Sequence, residues 1–108
     1  MRTEFALLSL LALLSISTQP ALAARFSIIA YDKDNNNALI PDADIAIWQD
    51  GNLLDNGKTD GDGVFVTYLN YGSNYLIKAK KTFYKEAIKE LTAESSNEDK
   101  IPIFLSKQ

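Results

Sequence analysis

Short apolar or alternating runs recur along the chain, separated by clusters of turn-forming residues. That spacing predicts an all-β sandwich. Residues 25–32 (RFSIIAYD) are β-branched and aromatic, and the polar run 33–37 (KDNNN) reads as a loop. Residues 43–49 (ADIAIWQ) alternate, with Ala43, Ile45 and Ile47 on one face and Asp44, Ala46 and Trp48 on the other. Residues 64–69 (VFVTYL) form a strand with Phe65 and Leu69 inward, so Val64, Val66 and Tyr68 point outward. Residues 75–81 (YLIKAKK) set Tyr75, Ile77 and Ala79 against Leu76, Lys78 and Lys80. Residues 100–106 (KIPIFLS) close the chain, and Pro102 marks an edge or a bulge.

The punctuation is specific. Asp50-Gly51 and Asn56-Gly57 are both hairpin signals, because both pairs tolerate positive φ. Residues 60–63 (DGDG) and 70–74 (NYGSN) are further turns. Residues 83–94 (FYKEAIKELTAE) are ambiguous. Tyr84, Ala87, Ile88 and Leu91 fall at helical spacing among good helix formers, so helix and strand both stay open here.

The beginning of the chain has a different character. Arg2 and the amino terminus precede an apolar stretch, 5–16 (FALLSLLALLSI), and Ala21-Leu22-Ala23 supplies small residues for cleavage before Ala24. Residues 1–23 therefore read as a secretory signal peptide. The apolar stretch is shorter than the roughly 20 residues of a membrane span. No other segment of spanning length follows, so the expected product is residues 24–108, one domain in the periplasm or secreted.

Composition removes most chemistry. The chain of 108 residues has no cysteine and no histidine. Disulfides, thiolate metal sites, a lipid-anchor cysteine and triads built on imidazole are excluded. The formal charge of −3 argues against nucleic acid as a partner. The charge is uneven, with eight aspartates and two lysines in 26–63 and seven lysines against five acids in 64–108. Lys78, Lys80 and Lys81 read as a basic edge that blocks strand-to-strand association.

From Pro41 the ordered series Pro41, Ala43, Ile45, Thr59, Asp60, Gly63, Phe65, Leu69, Gly72, Tyr75 and Tyr84 resembles the carboxypeptidase regulatory-like domains. It is also similar to their prealbumin-like relatives, including collagen-adhesin B-type repeats and starch-binding-like modules. The resemblance implies a single prealbumin-like Greek-key β-sandwich of about seven strands. It also implies a strand within 83–94. Three departures concern loops. Asp42 stands where a glycine is usual, one extra residue separates Gly72 from Tyr75, and Phe83 replaces the glycine before the late aromatic. Some relatives carry a lysine–asparagine or lysine–aspartate cross-link between first and last strands. The first strand here has no lysine and the last no Asn or Asp, so no such bond is expected. Relatives that hydrolyse 5-hydroxyisourate use histidines, which this chain lacks.

Two sets of candidate site residues remain. Asp32, Asp34 and Asn36 hold the 1, 3 and 5 spacing of a calcium loop, but Asn37 replaces the glycine at 6 and Ala43 the glutamate at 12. Asp55, Asp60 and Asp62 add oxygens in a different loop. Ordinary Asx turns and a weak Ca²⁺ site both fit. Trp48, Tyr68 and Tyr71 are candidate ligand-binding aromatics, able to stack on sugars or anchor a protein interface, unless neighbours bury them. The expected function is an exported, non-catalytic binding or accessory module that contacts an envelope or extracellular protein or a glycan. The alternative is a self-assembling structural or adhesion-type subunit, with calcium in its loops as an optional stabiliser.

Overall fold

The computed structural model describes residues 23–94 and 99–108. The expected signal peptide lies outside them, apart from Ala23. Eight strands are present among the described residues, and no helix: β1 (Ala23–Asp32), β2 (Ala38–Leu39), β3 (Asp44–Gln49), β4 (Asn52–Lys58), β5 (Val64–Asn70), β6 (Asn74–Lys80), β7 (Ala87–Thr92) and β8 (Lys100–Leu105). No helix there is long and apolar enough to cross a membrane.

The strands form two four-stranded sheets. In the first sheet β1 is central. It pairs antiparallel with β5 and then β2 along one side, and parallel with β8 along the other. The second sheet runs β4-β3-β6-β7, all antiparallel. Alternation places Phe26, Ile28 and Ala30 of β1 and Ile101, Ile103 and Leu105 of β8 in one buried cluster with Ile45, Ile47, Ile77 and Ala79 of the second sheet. Burial of these side chains removes apolar area from water, the main favourable contribution to folding.

Several sequence expectations are corrected. The described residues hold eight strands rather than about seven, because β2 and β4 carry no clear alternation. Asn56-Gly57 is not a hairpin but lies within β4, paired with Ala46 and Ile45. Glycine is needed at 57 for another reason, since a Cβ there would lie 2.6 Å from the Phe65 ring. Lys78 and Lys80 sit on β6, an interior strand, so they form no edge. Residues 87–92 settle as strand. Ile88 is 58% exposed while Ala87 and Leu91 pack on the core, and Lys89 turns inward to donate to the Pro102 carbonyl at 2.8 Å. Pro102 does lie on an edge strand, as expected.

The loop departures leave their mark on the backbone. Asp42 has φ 63 and Phe83 has φ 76, both in the left-handed region where glycine is at ease. Aspartate tolerates that region, whereas a bulky aromatic is strained there by about 1–2 kcal/mol. Phe83 is also 78% exposed, so little packing offsets the strain. Phe83→Gly is therefore expected to raise stability by about 1 kcal/mol, read as a higher denaturation midpoint at unchanged slope. A lower midpoint would show that the exposed ring contributes more than its backbone costs.

Candidate functional site

The outward side of the first sheet departs from what a solvated face should be. An antiparallel sheet with one wet face alternates apolar-in and polar-out. In β1 the outward residues are Arg25, Ser27, Ile29 and Tyr31, and the pairing register extends them into rows. Tyr31 lies between Leu39 and Phe104, and Ile29 between Val64 and Pro102. Ser27 lies between Val66 and Lys100, and Arg25 beside Tyr68. Tyr31 and Phe104 stack with ring centroids 5.4 Å apart and planes at 22°. Leu39, Val66, Tyr68 and Phe104 are exposed, Tyr68 by 68%. The result is a largely apolar face, and the charged groups within these paired rows, Arg25 and Lys100, are cations near one end. Contiguous exposed apolar surface is a feature that interaction sites share.

The predicted aromatics are therefore split among three places. Tyr68 belongs to this face. Tyr71 follows β5 in the turn and sets its ring edge-on to the core residue Phe26, centroids 6.4 Å apart. Trp48 lies on the outer face of the second sheet. The Lys78 ammonium stands 5.3 Å from its ring centroid, a cation–π contact, and its buried Nε1–H meets no acceptor among the described residues. An open groove of about 770 Å³ runs past Trp48, with Asp50, Asn74, Glu90 and Thr92 along it. Further along the same face Lys58 and Asp44 form an exposed ion pair at 2.8 Å, and that hydrogen bond holds the Lys58 ammonium above its ordinary pKa.

Asp32 and Asp34 meet donors from the chain itself. Asp32 is buried, and its two oxygens accept the Tyr84 hydroxyl at 2.7 Å and the Asp34 N–H at 3.0 Å. Lys107 brings its ammonium to 4.0 Å from Asp32, and its N–H donates to Asp34 at 2.8 Å. The Tyr84 phenol is held above its ordinary pKa, first by its hydrogen bond to Asp32 and then by burial. Asn36 adopts φ 51 in the exposed turn. The Asp60 carboxylate closes its own turn by accepting from Asp62 and Val64 N–H, and Asp55 accepts the Thr67 hydroxyl. Among the described residues no group of three or more acidic side chains converges on a metal position.

Sequence reasoning did not single out Leu39, Ile29, Tyr31, Pro102 or Phe104 as site residues. The signal was present in β1, whose run Phe26–Tyr31 is apolar on both parities apart from Ser27. Such a strand needs cover on both sides, and the structure supplies it on one.

No family model matches the sequence. No curated protein matches it either. Among solved structures, the Bacillus anthracis TIE protein is similar with a TM-score of 0.64 and 24% identity, over 80% of this chain and 18% of that one. A 3-chlorocatechol 1,2-dioxygenase from Rhodococcus opacus is similar with a TM-score of 0.62 and 13% identity, over 84% of this chain and 62% of that one. At these identities the likeness is one of fold, an all-β sandwich, and the chain spans only part of either protein.

Proposed function

We propose that the chain is an exported, non-catalytic binding module of the carboxypeptidase regulatory-like, prealbumin-like kind. It docks an envelope or extracellular protein on the outer face of its first sheet. The observation that carries this reading is the largely apolar face from Leu39, Tyr31 and Phe104 to Tyr68. Two four-stranded sheets, the placement of Thr59 and Gly63 in the turn that joins them, and the burial of Tyr75 on β6 support the family reading. The lack of histidine and cysteine supports a non-catalytic role. Protein partners are favoured over glycans on this face because it offers aromatic and aliphatic anchors but few hydrogen-bonding groups. The Trp48 groove, with its carboxylates and amide, is the place where a glycan reading would apply.

A photo-crosslinking residue at position 104, in cells that export the protein, is expected to give one discrete adduct. The same residue at position 76, on the second sheet, is expected to give none. Phe104→Glu should weaken partner capture about tenfold or more, roughly 1.4 kcal/mol. Its effect on stability should stay within about 1 kcal/mol, because the ring is half exposed. An adduct from position 76 and none from 104 would move the site to the Trp48 groove.

A further inference from the structure

The two sheets have four outer edges, and three carry features that obstruct strand addition. Strand β8 holds Pro102, which has no N–H, and the carbonyl of that residue is taken by Lys89. Strand β4 is bulged between its pairings with Ile47 and Trp48. Strand β7 carries Lys89 and Glu90 in mid-strand. Lysines, prolines and bulges are the usual protection of edges. Among the described residues strand β5 (VFVTYLN) pairs with β1 alone, and it has no proline, no charge and no bulge.

The ends of that edge are sealed from within. Val64 donates to Asp60 Oδ1 at 3.0 Å and accepts from Asp60 N–H at 2.9 Å. Asn70 N–H donates to the Tyr75 hydroxyl at 2.8 Å. Because Ala30 N–H bonds the Gly63 carbonyl, odd-numbered residues of β5 face β1 and even-numbered ones face away. The N–H and C=O of Val66 and Tyr68 therefore point outward, and no partner meets them among the described residues.

We propose that the β5 edge is a dimerisation strand whose occupant is a second copy of this chain, paired antiparallel about a two-fold axis at Thr67. In that register Val66 faces Tyr68 of the second copy and Tyr68 faces its Val66. Both are hydrogen-bonded pairs, so all four outward backbone groups of each copy are satisfied. On the outer face this sets a β-branched residue beside an aromatic twice, a favourable cross-strand pair. Charge is compatible with the antiparallel sense. Asp60 and Asp62 lie at the Val64 end of the edge, and Arg25 lies behind the other half of it, on β1 beside Tyr68. The antiparallel register keeps the two acidic turns at opposite ends of the ladder, and a parallel one would set them side by side. A ladder this short buries less than the about 800 Å² per partner of a standard interface, so the dimer is concentration-dependent. It goes beyond the docking reading and does not need it. It would also join two apolar faces into one continuous surface.

The test uses the protein expressed from its full sequence, by sedimentation from micromolar to millimolar concentration, with amide exchange at both limits. The expected result is conversion from monomer to dimer, with Val66 and Tyr68 amides protected only at high concentration. Val66→Pro removes an N–H that the β1 ladder does not use, and Val66→Lys places a charge against the second copy. Each should raise the dimer Kd about tenfold or more. If the proline variant does not fold, the lysine variant and the wild-type exchange pattern decide. Phe104→Glu should leave the dimer intact, which separates this proposal from the docking one. A monomer at millimolar concentration would overturn the proposal, as would a dimer indifferent to Val66→Lys.

Discussion

Thr59→Val is expected to destabilise the protein by about 2–6 kcal/mol although it preserves the shape of the side chain. Thr59 is 3% exposed. Its hydroxyl donates to the Ile40 carbonyl at 2.8 Å and accepts the Ala43 N–H at 2.9 Å. Its backbone continues the same join, with Thr59 N–H on the Ala43 carbonyl and Asp42 N–H on the Thr59 carbonyl. One residue at the end of β4 thus fixes the connection between the two sheets, and with it the entry into β3. Valine would leave one buried N–H and one buried C=O without partners, each at a cost of about 1–3 kcal/mol. Urea denaturation should show the loss as a lower midpoint at unchanged slope. Thr59→Ser, which keeps the hydroxyl, should recover most of it. Thr92→Val, at an exposed position, should stay within about 0.5 kcal/mol. A loss at Thr59 no larger than at Thr92 would mean that the two sheets are held together without this hydroxyl.

Thr59 and Gly63 of the series that begins at Pro41 were legible because their tasks are local. Strands β3, β5 and β6 were legible because turn residues bracket them and their parity is clear, and β1 and β8 were legible as short apolar runs rich in β-branched and aromatic residues. Strand β4 (NLLDNGK) lacks alternation, and Asn56-Gly57 imitates a turn. Its strand state comes from pairing with β3 and from the Phe65 ring that occupies the space above Gly57. The stretch around β7 resisted for a different reason. Ala87 and Leu91 share a face at a spacing of four, which satisfies a helix and a strand alike. Ile88 and Lys89 break the tie, and their environments are set by distant residues such as Pro102. Sites follow the same division. Parity within one strand sends Tyr68 and Trp48 outward, as read. The register between strands places Phe104 beside Tyr31, and no single strand encodes it. The partners of Asp32 and Asp34 come from Tyr84 and Lys107, 52 and 73 residues further along the chain, so local spacing suggested a loop site alone.

Gly63→Ala is expected to cost about 2–4 kcal/mol, whereas Gly61→Ala, two residues earlier in the same turn, should be neutral or stabilise by up to about 1 kcal/mol. Gly63 has φ +75, where an L-side chain costs about 1–2 kcal/mol. A Cβ there would lie 3.2 Å from the Ile40 nitrogen and 3.3 Å from the Ala30 oxygen. Those two atoms are already hydrogen-bonded to each other at 2.9 Å, so the methyl group would press on a buried backbone bond. Neither atom can swing aside, since Ala30 N–H is tied to the Gly63 carbonyl and Gly63 N–H to Asp60. Gly61 has an ordinary φ, and an added Cβ there meets nothing within 4 Å. Alanine at 61 would only reduce the freedom of the unfolded chain. Thermal or urea denaturation of the pair measures the difference directly, because the residue type and the turn are shared. Equal stabilities would show that the turn relaxes around a side chain at 63. A large gap, accompanied by faster amide exchange at Ile40, would place the cost at the junction where β2 and β5 meet β1.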